Sequence, residues 1–171
     1  MAVRGAANPI VHSPPSPPAA KRLTVVAWAF VTIQVVLLVG IAVGPRDNTW
    51  EIGQPLRWAG LGLAVAGAAL GLWAALRLGR GLTASPLPNG AIGLVTRGPY
   101  RWVRHPMYTA VMLIAAGIAT RAGSLVVIAL TFALVVLFNV KARWEEGQLA
   151  ATFPGYSDYR ATTSRFVPFL A

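Results

Sequence analysis

Apolar runs and short polar breaks alternate along the chain. Residues 23–43 carry no charge over 21 positions, which matches the ~20 residues needed to cross a bilayer core. Lys21 and Arg22 precede this run and Gly44-Pro45 ends it. Residues 56–78 form a second apolar run, with Arg57 and Arg77 near its ends, placed to snorkel. Its interior is rich in small residues, among them Gly67 and Gly71, four apart, and Ala64 and Ala68. That spacing permits close helix–helix approach. Residues 107–120 and 125–140 are apolar on either side of Arg121-Ala-Gly-Ser124. They predict a helical hairpin turning near Gly123. Residues 141–152 continue as a polar helix until Phe153-Pro154-Gly155 breaks it. The pattern predicts an all-α integral membrane bundle of about four transmembrane helices, with a helical hairpin and a cytosolic C-terminal helix.

Composition supports this reading. The chain is 56% hydrophobic and only 12% charged, against roughly 25% charged in soluble domains. It has no cysteine, which excludes disulfide frameworks, zinc–thiolate sites and cysteine nucleophiles. The net charge of +10 lies between apolar runs, which suits an anionic membrane face and argues against nucleic acid. Residues 1–20, with Pro14, Pro15, Pro17 and Pro18, read as a disordered tail. Residues 21–80 read as two N-terminal transmembrane helices, and residues 81–171 as a cofactor-binding region with the hairpin and a cytosolic tail. The loop before the hairpin is rich in glycine and proline and long enough to be functional. With four spans and the N-terminus inside, only Arg46, Arg57 and Arg121 of the 15 lysines and arginines fall outside. The positive-inside rule then puts both termini and both polar clusters in the cytoplasm.

The first cluster, residues 97–108, reads Arg-Gly-Pro-Tyr-Arg-Trp-Val-Arg-His-Pro-Met-Tyr. The second is Lys141-Ala-Arg-Trp-Glu-Glu146. His105 stands 18 residues before Gly123, roughly 27 Å of helix. Glu145 stands 22 residues after it, roughly 33 Å by the same rise. In a straight antiparallel hairpin the two glutamates therefore project about one turn past the helix start, near Arg104 and His105. Pro106 suits the first helical position. Arginines and free N–H groups at that helix start favour an anion, while Glu145 and Glu146 suit an amine or ribose hydroxyls. The combination matches a zwitterionic ligand. Each residue alone has a plainer explanation. Arginines beside a span set topology, paired glutamates can be a solvated helix face, and Tyr100, Trp102 and Tyr108 can be belt anchors.

The stretch from Gly98 to Tyr108, with Glu145-Glu146, Leu149, Phe153, Tyr156, Tyr159 and Phe166-Val-Pro168, resembles the isoprenylcysteine carboxyl methyltransferase family, related to the phospholipid N-methyltransferases. The resemblance covers about residues 80–170. It departs at Ala110, where many relatives have glycine, and in having fewer spans than the larger eukaryotic relatives. It implies a membrane-embedded enzyme that uses S-adenosylmethionine and methylates a lipophilic acceptor, either a prenylcysteine-like carboxylate or a lipid. The implied cofactor-binding residues are Tyr100, Arg104, His105, Pro106, Tyr108, Glu145 and Glu146, with Arg104 and His105 catalytic and no metal. The implied partners are a lipid-like substrate and membrane lipids. The Ala/Arg-rich composition places the chain in a bacterial cell membrane. Two alternatives are an NADPH-dependent membrane reductase of the sterol-reductase type and a non-enzymatic lipid-binding membrane protein.

Overall fold

The computed structural model describes residues 17–47, 49, 51–79 and 93–168. Among the described residues, five α-helices follow in order: α1 (Pro17–Val43), α2 (Gln54–Leu78), α3 (Pro106–Ala122), α4 (Leu125–Thr152) and α5 (Tyr156–Thr162). A 3₁₀ turn, Gly98–Arg101, precedes α3. α1 begins four residues before Lys21, with prolines in its first turn, where a missing N–H costs nothing. The rest of the expected tail, and most of the loop between α2 and the 3₁₀ turn, lie outside the described residues.

Three helices, α1, α2 and α4, are long and apolar enough to cross a membrane. α3 is shorter, at 17 residues, or roughly 26 Å. Its partner α4 has 28 residues, or roughly 42 Å, against a hydrocarbon core of about 30 Å. α4 therefore extends past α3 and carries its polar last third beyond the apolar layer as one unbroken helix. The hairpin turn uses Gly123 in the left-handed region, φ 62°, where a residue lacking Cβ is at no disadvantage. α2 packs along α3 and α1 along α4, so the hairpin lies between the two outer helices. The outer helices expose large apolar side chains, including Trp28, Val36, Trp58 and Leu76, as a lipid-facing surface requires.

Small residues set the α2–α3 distance. Gly60, Gly67 and Ala74 are the buried positions of α2, and Ala110, Gly117 and Ala119 are among those of α3. A Cβ on Gly67 would lie 2.7 Å from the carbonyl oxygen of Ala110, and one on Gly60 2.9 Å from that of Gly117. The close face thus recurs every seven residues, with Ala64 packed against Gly117, whereas a Cβ on Gly71 would make only ordinary contact. The apolar core between α1, α3 and α4 comprises Ile41, Ala115, Ala119, Ala122, Val127, Leu134 and Phe138.

Gly98 joins α2 to the loop before α3. Its φ is +65°, and a Cβ there would lie 2.7 Å from Cγ of Arg77. Gly98→Ala is therefore expected to destabilise the fold by about 1–2 kcal/mol, the cost of a left-handed L-residue, with some displacement of Arg77. Chemical unfolding in mixed micelles measures it, and an unchanged midpoint would refute the strain.

Candidate functional site

Pro106 opens α3 with His105 as its N-cap residue, so Arg104 and His105 stand at the helix mouth. The tail after α5 is fastened to this point. The backbone N–H of Arg104 donates to the Ser164 carbonyl at 2.8 Å, and that of His105 to the Arg165 carbonyl at 3.1 Å. The Thr109 hydroxyl donates to the Phe166 carbonyl at 2.8 Å, and the Tyr159 hydroxyl to the Tyr100 carbonyl at 2.6 Å. The tail is thus a wall of the site.

Glu145 and Glu146 meet the helix mouth from α4. Glu146, 3% exposed, accepts from Arg104 Nε at 3.0 Å, and from Arg165 Nε and Nη2 at 3.0 and 2.9 Å. A carboxylate buried this deeply is tolerated only when paired and hydrogen-bonded in this way. Its hydrogen bonds to Glu146 hold the Arg165 guanidinium still more firmly protonated than usual. Arg104 also donates to the carbonyls of Arg160 and Thr163. Glu145 accepts from the Tyr108 hydroxyl at 2.5 Å. His105 lies between the two carboxylates, with Nδ1 3.6 Å from Glu145 and Nε2 3.4 Å from Glu146. Its ring stacks on Tyr108, which in turn stacks on Phe138.

Of the residues singled out from the sequence, Arg104, His105, Tyr108, Glu145 and Glu146 form this one contact cluster. Pro106 is fully buried beneath it. Tyr100 is buried in the 3₁₀ turn, where burial pushes its hydroxyl up to about 12, and its carbonyl accepts from Tyr159 of the tail. The sequence reading placed Lys141 in the second polar cluster without giving it a role, and it did not select Arg165 or Arg160. Lys141 carried a signal, being a cation four residues before Glu145 on one helix face. Arg165 carried none beyond its place in an aromatic tail.

Beside the cluster is a cavity of about 640 Å³ lined by Arg101, Trp102, Arg104, Asn139, Arg160 and the segment 161–167. That is within the range of small-molecule sites. Among the described residues, Arg160 makes no ion pair, and Arg101 lies over the Trp102 ring. Two buried polar atoms near the cluster have no hydrogen-bond partner, His105 Nε2 and the Tyr156 hydroxyl. His105 Nε2 stands 3.4 Å from Glu146 Oε1. Burial, followed by the nearby Glu146, pushes the Tyr156 hydroxyl up to about 12, so it remains a donor. Orphaned buried groups of this kind are uncommon, and they fit a site that completes its bonds with a polar ligand. Among the described residues, no three of His, Cys, Asp or Glu gather as a metal centre would require.

Comparisons with known proteins agree with this architecture. Residues 56–155 match the family described as phospholipid methyltransferase. Among curated proteins, the chain is 33% identical over 126 residues to the cobalt-zinc-cadmium resistance protein CzcN of Cupriavidus metallidurans, covering 73% of this chain and 54% of that protein. It is 34% identical over 149 residues to the nickel-cobalt-cadmium resistance protein NccN of Alcaligenes xylosoxydans xylosoxydans, covering 84% and 64%. The chain therefore spans between half and two thirds of these relatives. Among solved structures, it is similar to a eukaryotic intramembrane Ras methyltransferase, isoprenylcysteine carboxyl methyltransferase. The TM-score is 0.62 at 23% identity, covering 91% of this chain and 54% of that one. At that identity the likeness concerns the fold.

Proposed function

The chain belongs to the phospholipid methyltransferase family, and from that premise we propose that it is an S-adenosylmethionine-dependent methyltransferase acting on a lipophilic acceptor within the membrane. The observation that carries this reading is the buried Arg104–His105–Glu145–Glu146 cluster beside an arginine-lined cavity of about 640 Å³. S-adenosylmethionine supplies an electrophilic methyl group for in-line displacement, which leaves positioning and water exclusion to the protein.

The residues present fit that cofactor. Its carboxylate suits Arg160 and Arg101, the wall cations that make no ion pair. Arg104 lines the same wall but is held by Glu146, so its part is to fix Glu146 and the tail. Glu145, which among the described residues accepts a hydrogen bond from the Tyr108 hydroxyl alone and has His105 Nδ1 at 3.6 Å, is the carboxylate available to an amine or ribose hydroxyl. The orphaned His105 Nε2 and Tyr156 hydroxyl add one polar partner each.

His105 also serves the acceptor. A carboxylate acceptor needs no base, whereas an amine or hydroxyl must lose a proton. His105, whose ring nitrogens lie 3.6 and 3.4 Å from Glu145 and Glu146, is the base this reading assigns to that step. The acceptor reaches the site from the bilayer, and both polar clusters face the cytoplasm of a bacterial cell membrane. A membrane lipid whose headgroup receives the methyl group is an acceptor class compatible with the family's name and with the resistance in the relatives' names.

Calorimetric titration of S-adenosylmethionine into the detergent-purified protein tests the reading. The wild type should bind, and Glu145→Gln should weaken binding at least roughly tenfold, the loss of one charge-assisted hydrogen bond. Absence of binding by a folded wild type, with lipid also supplied, would overturn the proposal. Transfer of labelled methyl to an organic-extractable product of a lipid mixture then identifies the acceptor class.

A further inference from the structure

A buried ammonium group is costly unless specific partners satisfy it. Lys141 is 4% exposed and sits in α4 one turn before Glu145. Its Nζ donates to Gln34 Oε1 of α1 at 2.8 Å. The same nitrogen lies 5.1 Å from the centroid of the Tyr108 ring, within the range of cation–π attraction, which is strongest when desolvated. That ring also stacks with His105 and with Phe138, and its hydroxyl donates to Glu145.

We propose that Lys141 is a positioning residue, held from α1 by Gln34 so that its ammonium fixes the Tyr108 ring and, through it, the Glu145 carboxylate. Gln34 sets the reach of the lysine, the lysine sets the tilt of the ring, and the ring sets the bond to Glu145. α1 lies outside the segment matched to the family, residues 56–155. Through this contact the first span becomes part of the site rather than an anchor alone. A lysine that merely tied α1 to α4 would act independently of Tyr108, because the bond to Gln34 does not involve the ring.

The inference rests on the cofactor reading above for its first readout and has a second that does not. S-adenosylmethionine binding is titrated for Lys141→Met, Lys141→Arg, Gln34→Leu and Tyr108→Leu, and for the Lys141→Met/Tyr108→Leu double variant. Lys141→Met should weaken binding roughly tenfold, the order of a desolvated cation–π contact. Lys141→Arg should recover most of that loss. In the Tyr108→Leu background, Lys141→Met should cost less than about twofold, because the lysine acts through the ring. Unchanged binding in a folded Lys141→Met protein, or equal losses in both backgrounds, would overturn the proposal. If Lys141→Met does not fold, Gln34→Leu takes its place in the cycle under the same criteria. If the wild type binds no S-adenosylmethionine, the cofactor reading fails separately. The cycle is then read from unfolding midpoints, where non-additive shifts support the positioning chain and additive shifts refute it.

Discussion

Glu146→Ala is expected to cost about 3 kcal/mol of stability, the lower end for breaking a buried ion pair, and to remove S-adenosylmethionine binding. The carboxylate neutralises two guanidinium groups at once. Arg104 is 8% exposed and Arg165 23%, so the first keeps most of its desolvation cost when its partner disappears. The carbonyls of Arg160 and Thr163 still accept from Arg104, which is why the loss should stay near the lower end. Among the described residues the Arg165 guanidinium donates to Glu146 alone, and the tail it anchors should loosen from the helix mouth. Glu145→Gln, which keeps the packing and an acceptor for Tyr108, should cost under about 1 kcal/mol, the scale of one hydrogen bond. Unfolding in mixed micelles distinguishes the two. A Glu146→Ala protein as stable as Glu145→Gln would show that the cluster does not hold the tail. In a double variant, Arg165→Ala should add much less once Glu146 is absent, since the two share one interaction.

The parts legible in the sequence were those governed by local pattern or simple counting. Run length marked the spans, and Gly123 beside Ser124 marked the hairpin turn. Counting residues along the two arms placed Glu145 and Glu146 against Arg104 and His105, where the structure has them. Contacts that depend on chain return were not legible. Arg165 reaches Glu146 because residues 164 and 165 pair with the backbone before α3, an association that no periodicity announces. Gln34 and Lys141 are 107 residues apart, and their meeting follows from α1 packing on α4. The zwitterion argument also changes in detail. The sequence offered arginines and glutamates as separate halves of a ligand site, whereas folding pairs Arg104 with Glu146 and, among the described residues, leaves Arg160 and Arg101 without an ion pair. In α2 the small residues were visible, but the working face uses the seven-residue spacing of Gly60, Gly67 and Ala74 rather than the four-residue spacing of Gly67 and Gly71. A run so rich in glycine and alanine offers several faces, and only the partner helix selects one.

That partner face gives the other large effect. Gly117→Val should destabilise the protein by about 3 kcal/mol, the upper end for overpacking a close contact. A Cβ on Gly117 would collide with the Gly60 carbonyl oxygen and stand 2.8 Å from the Ala64 backbone nitrogen. Both are main-chain atoms of α2, so no side chain can turn aside and the helices must separate. Separation removes the α2–α3 packing that, in the absence of a hydrophobic driving force within lipid, depends on close approach. Gly62→Ala is the internal control. A Cβ there meets nothing within 4 Å, and the exchange should gain about 0.5–1 kcal/mol from helix propensity. The two substitutions lie on packed helices and differ mainly in what the new carbon meets, so opposite signs in the same micelle titration would isolate contact from propensity. If both glycines tolerated substitution equally, the close face between α2 and α3 would not be what holds the bundle together. The same separation should reach the site, because α3 carries Tyr108 one turn below the helix mouth. Gly117→Val should therefore weaken S-adenosylmethionine binding even though Gly117 lies about three turns from His105 along α3.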